Sequence, residues 1–396
     1  MNEKRAMFFI NVIKSIINVY FDTFFVLYFF KVANYEIIPV VKYYLVLYFF
    51  VGVGFFLIRN AMKKNIKVPY LRIGISLQAL YIATLLLLKE NIINYIFLVG
   101  FLKGIADGFF HYPKNILETE KVSNKERQKF SGLIFTLEKT SNIVVPLLIG
   151  IILTYISYIE LGKIFFLLFI VMFILSFYVN DKEYNMNNKM QFKKFSKLIQ
   201  KNKDLRNSFF IPLLSGFTYS SGVMALVVTL TKINVFKTNL NLGFVDSLCA
   251  ILFLLVSIFY TTKLDKKNFK LYSKISGIVS FITLIIFAFK PSITILIIYL
   301  FVRNSFMGIM HLISNNMTHN ISNSKVMKEE YKAEYYLIRD LIYTISRCSG
   351  YLLLLIISLK FGISNINYVL IIPAISLLLD GYILSSLCNK NYEEIS

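Results

Sequence analysis

The sequence predicts an all-α membrane protein with twelve transmembrane helices in two pseudo-symmetric six-helix halves. Of its 396 residues, 57% are hydrophobic and 16% are charged, whereas about 25% are charged in a typical soluble domain. Apolar runs recur along the whole chain, and a transmembrane helix needs roughly 20 such residues. A short segment also recurs 200 positions later, which is typical of a chain built from two related halves.

Twelve apolar runs have a length suited to a membrane span. Backbone polar groups cannot stay unpaired in hydrocarbon, so these runs are expected to be helices. The alternating pattern of a membrane β-barrel is absent from them. Their approximate bounds are 8–30, 40–58, 69–88, 94–117, 130–156, 163–179, 208–231, 242–261, 271–289, 292–317, 333–358 and 366–388.

The chain divides at its longest polar stretch, residues 180–207, which is basic and contains no Pro or Gly. Six apolar runs precede it and six follow. We therefore expect an N-terminal six-helix half at 1–179, a cytoplasmic basic linker at 180–207 and a C-terminal six-helix half at 208–396. A short amphipathic helix at 192–199 could lie on anionic lipid.

The net charge of +21 could indicate a nucleic-acid partner, but its distribution argues against one. Of the 43 Lys and Arg residues, 27 fall in one alternate set of loops and 8 in the other. This asymmetry is the positive-inside pattern of membrane proteins. It predicts a multi-pass protein of the cell membrane with both termini in the cytoplasm, whose surroundings are a lipid bilayer.

The repeat pairs FLKGIADGFFHYPKNI (101–116) with FVRNSFMGIMHLISNN (301–316). Both windows lie in apolar runs, where a charged side chain is expensive and usually functional. A duplicated charged helix indicates that the two halves handle something polar between them. The matched pairs are Lys103 with Arg303, Gly108 with Gly308, His111 with His311, and Asn115 with Asn315.

Two motifs carry a family resemblance. The stretch TTKLDKKNFK (261–270) and its weaker counterpart GFFLIRNAMK (54–63) resemble the loop motif that follows helices 2 and 8 in the major facilitator superfamily. The resemblance implies a cytoplasmic gate, although Ile58 replaces the acid of the first copy. VPLLIG (145–150) keeps the Pro146 and Gly150 of an exporter motif on helix 5. The residues implied for the gate are Gly54, Arg59, Asp265 and Lys266.

The whole chain resembles this superfamily in architecture, and the stretch 334–350 is similar to an uncharacterised bacterial branch of it. The resemblance implies that helices 1, 4, 7 and 10 line a central cavity, with helices 2, 5, 8 and 11 beside it. Deep charges on these helices are therefore candidates for substrate or proton binding. They are Asp22, Lys103, Asp107, His111, Glu138, Arg303, His311 and Arg347.

The spacing of these residues leaves two interpretations open. Lys103, Asp107 and His111 lie at i, i+4 and i+8, so they share one face of a helix. They form either a substrate or proton site, or a pair that only cancels charge. Arg303 has Met307 at i+4 and no acid on its own helix. It binds a substrate anion, or it is neutralised across the bundle by Asp22 or Glu138.

The expected function is secondary active transport of a small molecule by alternating access, and the excess positive charge of helices 4, 10 and 11 favours a substrate with an anionic group. No phosphate-binding loop motif occurs, so the energy would come from an ion gradient, with protons expected and export favoured by the helix 5 motif. Two alternatives remain: a membrane-embedded acyl or lipid-group transferase using His111 or His311, and a non-transporting sensor. A monomer without a cofactor or metal is expected, and the three widely spaced cysteines form no metal motif.

Overall fold

The computed structural model describes residues 3–63, 66–121, 137, 140–181, 190–218, 222–263, 268–322, 327, 331–361 and 363–388. Every regular element within these ranges is a helix, so the all-α prediction is confirmed. Ten helical stretches in this part of the chain are long and apolar enough to cross a membrane. One of them, Lys67–Glu118, covers two predicted spans, and a shorter apolar helix covers a further one. The chain is therefore a multi-pass membrane protein.

The helices follow the order of the predicted spans and are labelled accordingly. They are α1 Glu3–Val32, α2 Ile37–Ile58, α3 Lys67–Leu88, α4 Ile96–Lys121, α5 Thr140–Ile152, α6 Tyr158–Ser176, α7 Phe210–Thr218 resuming at Val223–Phe236, α8 Asn239–Lys263, α9 Phe269–Phe289, α10 Ile293–Val302 continuing to Gly308–Ser322, α11 Lys332–Phe361 and α12 Ile371–Leu387.

The residues cluster into two compact units. The first contains Met1–Met190 and Phe236–Ser247, and the second contains Gln191–Val235 and Leu248–Ser396. The boundary at residue 190 falls inside the predicted linker, while the beginning of α8 clusters with the first unit. The proposed division at 1–179, 180–207 and 208–396 stays a prediction.

Close helix contacts in each unit depend on glycine. In the first unit, a Cβ added at Gly108 of α4 would lie 3.0 Å from the Cα of Gly54 on α2. In the second unit, a Cβ at Gly381 of α12 would lie 3.0 Å from the Cα of Gly277 on α9. Small residues let helix backbones approach in a membrane, where packing rather than hydrophobic burial drives association.

Two helices contain a wide π turn. In α1 the π segment is Tyr20–Phe25, and in α10 it is Arg303–Met307. Such turns are rare, and they occur frequently at functional sites. Each segment carries one of the candidate charges, Asp22 in α1 and Arg303 in α10. The apolar pattern of the sequence did not predict either segment.

Two points of the linker, one at its beginning and one near its middle, are each joined to a neighbouring helix by a carboxylate. Asp181 accepts a 2.9 Å hydrogen bond from the backbone N–H of Lys67, at the beginning of α3. Glu334 near the beginning of α11 accepts a 2.7 Å hydrogen bond from the backbone N–H of Gln191. A helix at Phe192–Lys201 follows, as the amphipathic pattern predicts. Both carboxylates satisfy N–H groups that a helix N-terminus leaves without intrahelical partners.

Candidate functional site

A buried ion cluster lies in the first unit around Asp107 on α4. The Lys103 ammonium on the same helix lies 3.0 Å from the Asp107 carboxylate, and the Lys14 ammonium on α1 lies 3.4 Å from it. The Gln78 amide on α3 donates to the same carboxylate at 2.8 Å. The i, i+4 spacing on α4 places Lys103 beside Asp107 as expected. Two ammonium groups share one carboxylate, which leaves the cluster with an excess of one positive charge.

Aromatic rings cover both ammonium groups of this cluster. The Lys103 Nζ lies 4.9 Å from the centre of the Phe21 ring and 5.6 Å from that of Tyr81. The Lys14 Nζ lies 5.1 Å from the centre of the Phe110 ring. A cation over an aromatic face is stabilised by about 0.5–2 kcal/mol, with the larger value at desolvated sites. The rings therefore compensate part of the charge that Asp107 does not.

A second ion pair lies further along α4. The Lys114 ammonium lies 3.5 Å from the Glu118 carboxylate, which also accepts a 2.5 Å hydrogen bond from the Asn11 amide of α1. His111, between the two pairs, is half-buried, and its ring packs edge-on against Phe110 at 5.2 Å. This packing suits a histidine that contributes to helix contact. Whether His111 also carries protons stays a prediction.

The π turn of α1 places Asp22 on an exposed part of the helix surface, whereas its neighbours Phe21 and Thr23 are buried. The Thr23 hydroxyl donates a 3.1 Å hydrogen bond to the Asp246 carboxylate on α8. A second acid, Asp246, therefore contacts the π turn through Thr23, the residue that follows Asp22. Carboxylates within spans are rare and usually functional, so Asp246 joins the candidate residues.

Arg303 begins the π turn of α10 and is half-buried. Across the described ranges, no acidic side chain lies within ion-pairing distance of its guanidinium. Met307 occupies the position that Asp107 holds relative to Lys103 and is itself buried. The second copy of the repeat therefore keeps a cation, Arg303, at the position of Lys103, but it has no carboxylate at the position of Asp107. An anionic ligand would supply the missing charge.

The charges of α11 are partly engaged with one another. The Arg339 guanidinium lies 2.8 Å from the carboxylate of its neighbour Asp340. The Arg347 guanidinium lies 5.3 Å from the centre of the Tyr343 ring. The Tyr343 hydroxyl accepts a 3.1 Å hydrogen bond from Ser215 on α7. Arg347 therefore belongs to a polar contact between α7 and α11. The remaining candidate of the second unit, His311 on α10, is half-buried.

The remaining site predictions concern the gate and α5. Gly54 lies at the close contact between α2 and α4. The Arg59 side chain turns back onto α2, where it donates a 2.6 Å hydrogen bond to the Phe56 carbonyl. Its gate role and that of Gly54 stay predictions. Asp265, Lys266 and Glu138 lie outside the described residues.

Sequence reasoning left three members of the first-unit site out of the candidate list. Lys14 and Asp246 could have been identified from the sequence, because a charged side chain inside an apolar run is energetically expensive and usually functional. The sequence does not mark Gln78 as a site residue, since an uncharged amide is tolerated in many helices. Its role depends on which face of α3 meets α4, and that is a property of the folded protein.

The fold and these buried charges are typical of one class of protein, the helical membrane transporters. The chain matches the family model described as Major Facilitator Superfamily over residues 19–351. It therefore belongs to the major facilitator superfamily, as its architecture and loop motifs predicted. Members of this family carry small-molecule substrates, so the chain is a membrane transporter. The family assignment points away from the transferase alternative.

Similar proteins agree with this assignment. The human organic anion transporter MFSD10 has a TM-score of 0.66 at 11% identity, with 97% of this chain and 100% of that chain covered. The nucleoside transporter NupG has a TM-score of 0.68 at 12% identity, with 98% of this chain and 100% of that chain covered. Likeness at this identity shows the shared fold alone.

One curated relative also matches part of the chain. It is an uncharacterized protein in the sodM 3' region of Geobacillus stearothermophilus, 27% identical over 100 residues. The match covers 25% of this chain and 47% of that relative. The chain thus spans about half the length of this curated relative.

Proposed function

We propose that this chain is a secondary transporter of the cell membrane that exports a small organic anion in exchange for protons by alternating access. The observation that carries the proposal is the half-buried Arg303 on the π turn of α10. A guanidinium away from water needs a compensating negative charge. Since no described acid supplies it, a carboxylate, sulfonate or phosphate group of the substrate is the natural partner, and Arg binds such groups bidentately.

The first-unit cluster has a different role in this proposal. Asp107 is engaged with Lys14, Lys103 and Gln78, so its carboxylate fixes α1, α3 and α4 to one another. The cluster adds a positive charge that favours an anionic substrate. We assign the positioning of these helices, rather than proton transfer, to Asp107.

Proton coupling is assigned to Asp22. Its side chain is exposed, and we infer that this side of α1 faces a water-filled cavity rather than lipid. Asp246 contacts Thr23 of the same π turn. Glu138 stays a further candidate for this role.

Export rests on the exporter-like residues of α5. A Cβ at Gly150 would lie 2.8 Å from the Asn239 carbonyl oxygen at the beginning of α8, and a Cβ at Gly243 would lie closer still to the Pro146 carbonyl oxygen. Pro146 and Gly150 thus lie at a tight contact between α5 and α8. We propose that this contact seals the outer side of the transporter.

Proteoliposomes with an internal pH-sensitive dye test the function. Under an imposed pH gradient, we expect benzenesulfonate to drive proton flux, and benzenesulfonamide, its neutral counterpart, to drive little. Protein-free liposomes and the Asp22→Asn variant are the controls. Equal flux with the amide would contradict an anionic substrate, and unchanged flux in Asp22→Asn would contradict its coupling role.

Membrane orientation is tested by cysteine labelling in cells, after Cys249, Cys348 and Cys388 are changed to Ser. Cysteines introduced at Asn65, Asn124, Asn188 and Asn268 should react with a membrane-impermeant maleimide only after permeabilisation. Cysteines at Asn94 and Asn239 should react in intact cells. Labelling at Asn188 in intact cells would contradict cytoplasmic termini and the six-plus-six arrangement.

A further inference from the structure

A buried carboxylate in the second unit has no role in the transport site. Asp380 lies midway along α12, and only 1% of its surface is exposed. Neither of its carboxylate oxygens has a hydrogen-bond partner among the described residues, and no ion pair to it occurs among them. By the family resemblance, α12 is an outer helix and not a cavity helix. This acid therefore needs an explanation separate from substrate binding.

The position of Asp380 is defined by the contact between α9 and α12. A Cβ at the adjacent Gly381 would lie 2.7 Å from the Ser273 carbonyl oxygen and 3.0 Å from the Cα of Gly277. The two backbones are therefore in van der Waals contact beside Asp380. Ser276, next to Gly277, is fully buried, and its hydroxyl also lacks a described partner. Oxygen atoms with unused hydrogen-bonding capacity thus occur on both helices at this contact.

An uncompensated carboxylate at this depth would cost several kcal/mol. The charged groups on elements packed against α12 do not compensate it. Tyr343 on α11 lies close enough to Asp380 to interact with it electrostatically, but it carries no compensating positive charge. Lys274 on α9 instead lies over the Tyr382 ring at 5.7 Å. The other charged or titratable groups of these packed elements that the structure describes are Lys203, Asp204, Arg206, Lys270, Tyr272, His311 and Tyr368.

We propose that Asp380 binds a monovalent cation, either a proton or Na⁺, at the contact between α9 and α12, with Ser276 as a further oxygen ligand. A carboxylate and a hydroxyl are hard oxygen donors and suit a small cation that carries little directional preference. Bound cation would neutralise the acid and use the free hydroxyl of Ser276. The site goes beyond the proposed function, because it does not depend on what is transported.

Thermal unfolding of the purified protein in detergent tests this site. NaCl is titrated against choline chloride at constant ionic strength, and the series is repeated from pH 5 to pH 9. If the cation is Na⁺, Tm of the wild-type protein should rise by roughly 5 °C at saturating NaCl. If it is a proton, the folded protein holds one proton more than the unfolded chain, so stability should fall as pH rises.

Asp380→Asn is neutral and similar in shape, so it should fold and lose whichever dependence the wild type shows. Ser276→Ala should weaken the Na⁺ dependence, whereas Ser273→Ala, which removes a buried hydroxyl already engaged with the Phe269 carbonyl, should keep it. Asp340→Asn removes a buried acid that has Arg339 as its partner, and it should leave the cation dependence intact. A wild-type protein with neither dependence, or an Asp380→Asn variant that retains it, would overturn the proposal.

Discussion

The two copies of the repeated segment place a cation at the same position of α4 and α10, but in different surroundings. Lys103 in the first unit has an acid at i+4 and an ion pair of 3.0 Å to it. Arg303 in the second unit has Met307 at that position and no described acid within reach. The comparison indicates that duplication preserved the position of the charge but not its use. In the proposed function, the first copy stabilises helix packing and the second binds the substrate.

The largest expected effect is on stability, from Asp107→Asn. This change leaves the Lys14 and Lys103 ammonium groups, whose side chains are 4% and 8% exposed, without their carboxylate. Breaking a buried ion pair typically costs about 3–5 kcal/mol. A clear fall in Tm is expected, and Glu118→Gln, which alters the more exposed pair with Lys114, should lower Tm less. Equal Tm values for Asp107→Asn and wild type would show that the cluster does not hold the helices together.

Arg303→Gln should have the opposite signature, with transport lost and Tm little changed. Removing a charged contact to the substrate costs about 1.5–3 kcal/mol, which is more than tenfold in affinity. Arg303→Lys is the matched control and should retain part of the flux, because it keeps the charge. Combining Arg303→Gln with Asp22→Asn or Glu138→Gln tests charge balancing. Recovery of transport in either double variant would make Arg303 a structural residue.

The equivalent glycines of the repeat should also differ. A Cβ at Gly108 would lie 2.9 Å from the Val51 carbonyl oxygen and 3.0 Å from the Cα of Gly54, both of them backbone atoms. For a Cβ at Gly308, the nearest atoms belong to the Phe253 ring, at 2.7 Å. Because a ring can rotate and a helix backbone cannot, Gly108→Ala should cost about 1–3 kcal/mol and Gly308→Ala less. Thermal unfolding of the two variants would measure the difference, and the reverse order would contradict the close contact.

The smallest expected effect comes from making the second copy resemble the first. Met307→Asp supplies Arg303 with an acid at i+4, which competes with an anionic substrate for the guanidinium. We expect benzenesulfonate affinity to fall about tenfold, corresponding to about 1.4 kcal/mol. Met307→Asn is the neutral control and should bind more tightly than Met307→Asp. Equal affinities would separate Arg303 from the substrate.

The sequence was informative where the bilayer constrains it. Span positions follow from the need to pair every backbone group inside hydrocarbon, and the Lys103–Asp107 pair follows from helix periodicity. The participation of Lys14 and Gln78 does not follow, because it depends on which helix faces meet. The π turns around Asp22 and Arg303 were also missed, since one extra residue in a turn barely changes an apolar pattern.

The π turns bear on how these helices tolerate changes in length. A π turn closes with an i→i+5 hydrogen bond and so holds one residue more than an α turn. Deleting one residue from Tyr20–Phe25 or Arg303–Met307 converts the turn to α geometry, and the flanking segments keep their orientation. The same deletion in the regular helix α2 would rotate every following side chain by about 100°. In α1 and α10, length variation among relatives is therefore expected at these turns, beside the charges that they position.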